Sequence, residues 1–119
     1  MNFKIVLYIC GMEIVFEKEY LRELYEDGRT SNKKYRFQPD IVKRYKNVIG
    51  MLKAVRKVED LFSYNSLNYK KLANSDIESV RVNDQYRVEF RTSVETTEEN
   101  EIITEITICS IIELSNHYK

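Results

Sequence analysis

The apolar positions of this chain change rhythm several times. Residues 13–16 (EIVF) suit a short strand. Across residues 17–26 the spacing becomes helical, with Tyr20, Leu21, Leu24 and Tyr25 on one side. Asp27-Gly28 ends that helix, because glycine takes the left-handed position after a helix without steric cost. Residues 29–38 (RTSNKKYRFQ) are polar and basic and read as a loop or the start of the next helix. Pro39-Asp40 then opens a second helix, where proline's missing N–H does no harm. The pattern predicts that it runs from about Pro39 to Phe62, with Ile41, Tyr45, Val48, Leu52, Val55 and Phe62 along one stripe. Residues 63–75 (SYNSLNYKKLANS) read as a connecting loop anchored by Leu67 and Leu72.

At residues 79–91 (SVRVNDQYRVEFR) the period becomes two. Val80 and Val82 alternate with polar residues, then Tyr86, Val88 and Phe90 do the same, which marks a hairpin of half-buried strands. Asn83 and Asp84 suit the turn between them. If Val82 and Tyr86 both face the core, they pair across a three-residue loop, Asn83-Asp84-Gln85. That register sets Arg81 opposite Arg87 on the polar face. Like charges in that position repel, so Glu89, another acid or an anionic ligand must compensate. A merely solvated face is the plain alternative.

Residues 93–100 (SVETTEEN) read as an acidic turn, and residues 102–114 as a long strand. Its even positions, Ile102, Ile106, Ile108, Ile112 and Leu114, are expected in the core with Tyr86, Val88 and Phe90. If the strand stays extended, Ser115 and His117 join Arg81 and Arg87 on the other face. The order strand–helix–helix–strand–strand–strand predicts an α+β domain, two N-terminal helices packed on a small, mainly antiparallel twisted sheet.

Composition changes this picture little, but charge distribution does. The 119 residues suffice for one domain with a modest core, and the formal net charge is zero. Residues 41–91 carry eleven basic and six acidic residues, a net of +5, whereas residues 92–119 carry one basic and six acidic, a net of −5. A basic middle can attract phosphate, while the acidic end limits indiscriminate binding. Lys43, Arg44, Lys46, Lys53, Arg56 and Lys57 crowd the second helix, where a solvated face is the ordinary explanation.

Cys10 and Cys109 stand in no CxxC and near no histidine at ligand spacing, which argues against a zinc site and for a reduced, cytoplasmic setting. The apolar run IVLYIC at residues 5–10 is too short to span a membrane, and no membrane association is expected. Residues 1–11 read as an N-terminal extension, with Met12 as a candidate start of the domain and an added edge strand as the alternative. One domain is expected over residues 12–119.

The order of elements, the hairpin SVRVNDQYRVEF and the terminal IELSNHYK together resemble the RelE/ParE superfamily of bacterial toxins. The nearest likeness is to the HigB-like toxins of type II toxin–antitoxin systems. The resemblance covers about residues 12–119. It implies a RelE-like fold and ribosome-dependent endonucleolytic cleavage of mRNA, with neither a metal nor an organic cofactor. It implies a neutralising helix-turn-helix antitoxin (HigA-like), usually encoded alongside.

By position, Arg87 matches the arginine of the family's aromatic–arginine step, Arg81 the arginine of the upstream strand, and His117 the terminal histidine. The lysine before the hairpin falls at Lys70 or Lys71, since Lys71-Leu72-Ala73 stands in place of leucine-lysine-glycine. Ser115-Asn116 replaces the family's aspartate–tyrosine.

These residue types suit the chemistry. Attack of the 2′-hydroxyl on the adjacent phosphate needs a base, an acid for the leaving 5′-oxygen and stabilisation of added negative charge. Histidine titrates near neutrality and suits acid–base work. Arginine grips phosphate oxygens and concentrates positive charge at the transition state. His117, Arg87 and Arg81 are thus the candidate catalytic set, with Lys70, Lys71, Arg91 and Tyr118 as candidate RNA contacts. Two other readings stand beside this one: a relative that inhibits DNA gyrase without nuclease chemistry, and an inactive module that binds a partner.

Overall fold

The computed structural model describes residues 5–8 and 11–116. Six strands form one mixed sheet: β1 (Ile5–Tyr8), β2 (Glu13–Phe16), β3 (Lys70–Lys71), β4 (Glu78–Arg81), β5 (Tyr86–Glu99) and β6 (Ile102–Asn116). Two α-helices, α1 (Glu19–Glu26) and α2 (Pro39–Ala54), lie between β2 and β3. The sheet order is β1-β6-β5-β4-β3, with β2 also pairing with β6. The β3–β4, β4–β5 and β5–β6 pairs are antiparallel, but β1 and β2 both run parallel to β6. The sheet is therefore mixed, with the antiparallel pairs in the majority as expected. The parallel pairs arise because the chain crosses through both helices before returning to β6 beside β2. No described helix is long and apolar enough to cross a membrane.

Helix α1 buries Tyr20, Leu21 and Leu24, and its outer face is laced by Arg22 paired with Glu19 and Glu26. Gly28 follows it at φ +75, the left-handed position expected there. Helix α2 buries Val42, Tyr45, Val48, Ile49 and Leu52, and the Tyr45 hydroxyl donates to the Leu21 carbonyl of α1 at 2.7 Å. These residues form one core with Val80, Val88, Phe90, Cys109, Ile111 and Leu114 of the sheet.

The second helix ends at Ala54, well short of Phe62. Val55 is extended (φ −85, ψ 149) and buried, and a 3-10 turn occupies Val58–Ser63. The Asp60 carboxylate accepts from the Arg56 N–H at 3.3 Å, so a local side-chain bond competes with continued helix. The break changes the phase of the stripe: Leu61 is fully buried, whereas Phe62 is 57% exposed. In the following loop Leu67 is buried as expected, but Leu72 is exposed.

Two further corrections concern the last strands. Residues 93–99 are strand, not turn, and the reversal falls at Asn100-Glu101, both with positive φ. In β6, Glu113 pairs with Glu89 but Ile111 pairs with Phe90, so Ile112 is the extra residue of a β-bulge. The bulge reverses the alternation. Before it the odd residues Cys109 and Ile111 are fully buried while Ile106 and Ile108 are not; after it Leu114 is buried.

Residues 5–8 pair with Ile102–Glu105 as the edge strand β1. The connection to β2 passes through Gly11 at φ +83, where a Cβ would collide with the carbonyl oxygen of Lys53 at the end of α2. That close approach requires glycine.

Candidate functional site

The β4–β5 turn has the anticipated geometry. The Val82 N–H donates to the Tyr86 carbonyl at 2.9 Å, and the Asn83 side-chain oxygen accepts from the N–H groups of Gln85 (2.9 Å) and Tyr86 (2.7 Å). A short polar side chain thus supplies the turn's bonds. The consequence is the register Arg81↔Arg87, continued across the sheet as Arg87↔Ser115. The neighbouring row on the same face is Lys70↔Ser79↔Glu89↔Glu113. Directly opposed residues share a face, so Lys70 belongs to the arginines' face. Lys71 pairs with Glu78 and points the other way.

The two arginines differ. Arg81 is partly exposed and forms an ion pair with Asp84 in its own turn. Arg87 is 8% exposed. Its Nε donates to the Ser79 hydroxyl at 2.9 Å, and one Nη donates to the carbonyls of Asn68 (2.6 Å) and Ser79 (3.2 Å). Asn68 reaches this position by a left-handed turn, φ 42. The other Nη of Arg87 makes no bond to a described residue. Burial, and then the charge of Arg81, lower the Arg87 pKa, while Glu89 opposes them. The repulsion read from the sequence is present, and Glu89 and Asp84 are the acids that offset it.

At the end of β6 this face meets a groove of about 480 Å³. Tyr35, Phe37 and Tyr86 line it with Glu89, Glu113 and Ser115, and Lys34 adds one positive charge. Phe37 stands edge-on to Tyr86 at 5.4 Å, and Tyr35 stacks on Tyr20 at 3.7 Å. Glu113 is held by Lys18 at 2.7 Å and by the Tyr20 hydroxyl, which itself accepts from the Leu114 N–H at 3.2 Å. Burial and the Glu113 bond raise the Tyr20 pKa well above the ordinary phenol range, so Tyr20 stays a donor to that carboxylate. The sequence reading missed this aromatic and acidic groove. Its available signal was the pair Tyr35 and Phe37 inside a stretch read only for its positive charge.

Arg91 stands apart. Its guanidinium bonds Asp76 at 3.1 Å and lies 3.8 Å from Glu17, so two carboxylates already occupy it. His117 and Tyr118 lie outside the described residues. Among the described residues no group of three His, Cys, Asp or Glu side chains is placed to hold a metal ion.

An α+β chain with a mixed sheet, a tight β4–β5 hairpin and paired arginines beside a groove fits the class of small RelE-like toxins. The family model for HigB-like toxins, RelE-like toxins of type II toxin–antitoxin systems, matches residues 14–106. The chain belongs to this family, and membership implies an antitoxin partner. The matched span includes Lys70, Lys71, Arg81, Arg87 and Arg91 and ends before Ser115. No curated protein matches the chain.

Proposed function

We propose that this protein is the toxin of its pair and acts as a metal-independent, ribosome-dependent mRNA endonuclease in the cytoplasm. The observation that supports it, in a chain of this family, is the register that sets Arg81 opposite Arg87 and Arg87 opposite Ser115. In this reading the 2′-hydroxyl loses its proton to a base and attacks the adjacent phosphorus. The bond to the 5′-oxygen breaks, leaving a 2′,3′-cyclic phosphate, and that oxygen takes a proton. His117, two residues beyond Ser115, serves as acid or base.

Arg81 and the unbonded Nη of Arg87 grip the non-bridging oxygens, where charge grows in the transition state. Because Ser79 and Asn68 already fix the rest of Arg87, little reorganisation is needed. Lys70, on the arginines' face, and Tyr118 contact the RNA backbone or a base, whereas Lys71 faces away and Arg91 is held by Asp76 and Glu17. The neutralising partner is a helix-turn-helix, HigA-like antitoxin.

The test is primer extension on an mRNA in a purified translation system. Wild-type protein should cut only translated mRNA. Arg87→Lys keeps the charge but loses the fork, and should lower cleavage by roughly 10²–10³-fold, the cost of losing one preorganised donor. His117→Ala should leave no measurable cleavage. Undiminished cleavage in both variants overturns the assignment. Loss of DNA supercoiling with intact mRNA favours the gyrase reading instead.

A further inference from the structure

Past Phe90 the sheet loses a strand. β4 pairs with β5 only from Arg87 to Phe90. From Thr92 to Glu99, β5 has β6 on one side and, among the described residues, no strand on the other. The hairpin fixes which backbone groups face that open side. Tyr86 accepts from Val82 and so directs its backbone towards β4. In an antiparallel strand every second residue points its N–H and C=O the same way. The bulge lies in β6, so β5 keeps its alternation, and Thr92, Val94 and Thr96 direct backbone groups to the open side, where no described strand meets them. Such an edge is a template for another strand. The charges that guard this edge are all acidic, since residues 92–116 contain no Lys, Arg or Pro. Val94 adds an apolar side chain that is 57% exposed.

Charge selects the occupant. Glu95, Glu98 and Glu99 lie on the edge strand, with Glu101 and Glu105 close by. A second copy pairing edge to edge would align these acids, and like charges across a strand pair are destabilising. RNA is repelled for the same reason. We infer that the open edge of β5 is a docking strand for the antitoxin, which adds an extended, lysine- or arginine-rich segment to the sheet. This rests on the toxin–antitoxin reading. At about 3.3 Å per residue, Glu95 lies roughly 26 Å along β5 from Arg87. The edge therefore anchors the antitoxin at a distance from the arginine pair.

The test is calorimetric titration of the full-length antitoxin encoded beside the toxin gene into the toxin. Thr96→Pro removes one outward N–H and no β6 bond. Glu95→Lys combined with Glu99→Lys reverses the charge without touching the backbone. Each should raise Kd at least tenfold and leave growth arrest by the toxin alone unchanged. Circular dichroism checks the fold of Thr96→Pro, and the lysine variant tests the edge independently. Wild-type affinity in the lysine variant and in a folded Thr96→Pro overturns the inference. So does self-association of the toxin that both variants abolish while antitoxin affinity stays constant, which would assign the edge to a second copy. A wild-type toxin that neither arrests growth nor binds the antitoxin overturns the underlying reading along with it, and that failure shows before any variant is made.

Discussion

β5 is one strand in two environments. Residues 87–90 run between β4 and β6, bury Val88 and Phe90 completely, and carry Arg87 in a cage of oxygen acceptors. Residues 93–99 have, among the described strands, β6 alone beside them and are exposed throughout. The first half carries Arg87 opposite Arg81, the pair proposed to bind phosphate; the second is acidic, and its outer edge meets no described strand. A strand's period of two is the same in both halves. What differs is the number of neighbours, and that decides whether a side chain contributes to stability or to recognition.

The sharpest way to break this comparison is to truncate one apolar residue in each half. Phe90→Ala empties a fully buried site and should cost about 3–5 kcal/mol. Val94→Ala removes a side chain that already faces solvent and should stay within about 0.5 kcal/mol. Urea denaturation of the two variants measures both. Comparable losses would mean that the second half is packed rather than open.

A smaller effect marks the boundary between the halves, where Cys109 pairs with Thr92. Burial, and then the nearby charge of Glu78, push the Cys109 thiol from 9.0 up to about 12. The sign follows from linkage. The folded thiol keeps its proton to higher pH than the unfolded one, so its stabilisation is complete below about pH 9 and is lost as pH rises towards 12. The buried hydroxyls of Tyr20 and Tyr45 are shifted upward too and act in the same direction at alkaline pH. Cys109→Ala keeps those two and removes the thiol. Its urea midpoint should therefore fall less steeply between pH 9 and 11 than that of the wild type. Equal slopes would show that the thiol is not sequestered at the boundary.

The two halves also differ in how far the sequence disclosed them. Alternation around Asn83 was enough to place Arg81 opposite Arg87, because a short loop fixes register locally. The acidity of residues 93–99 hid a strand whose β-formers, Val94, Thr96 and Thr97, were in plain view. The bulge at Ile112 is a tertiary event with no local signature, and it moved Cys109 and Ile111 into the core against the expected parity. Ser115 still reached the arginines' row, because parity is restored beyond the bulge. The end of α2 was hidden for a related reason: Phe62 continued the helical stripe, and only the capture of the Arg56 N–H by Asp60 signals the break. The cage around Arg87 depends on Asn68, nineteen residues earlier in the chain. No local pattern reports such a contact.

The smallest expected change in stability tests the site itself. Arg81→Gln removes a charge opposite Arg87, and relieving that repulsion is worth about 0.2–1 kcal/mol. It also removes the ion pair with Asp84, a partner that is almost wholly exposed, and such pairs contribute about 0–1 kcal/mol. The two effects oppose each other, so the midpoint of thermal unfolding should hardly move. Arg87, relieved of its neighbour's charge, should tolerate burial slightly better. If the pair is only a solvated face of the sheet, nothing else should change. If the pair binds phosphate, translation-coupled mRNA cleavage should fall at least tenfold while the fold is untouched. Cleavage at the wild-type rate in Arg81→Gln would leave Arg87 without a partner in phosphate binding and would return the first half of β5 to a purely structural role.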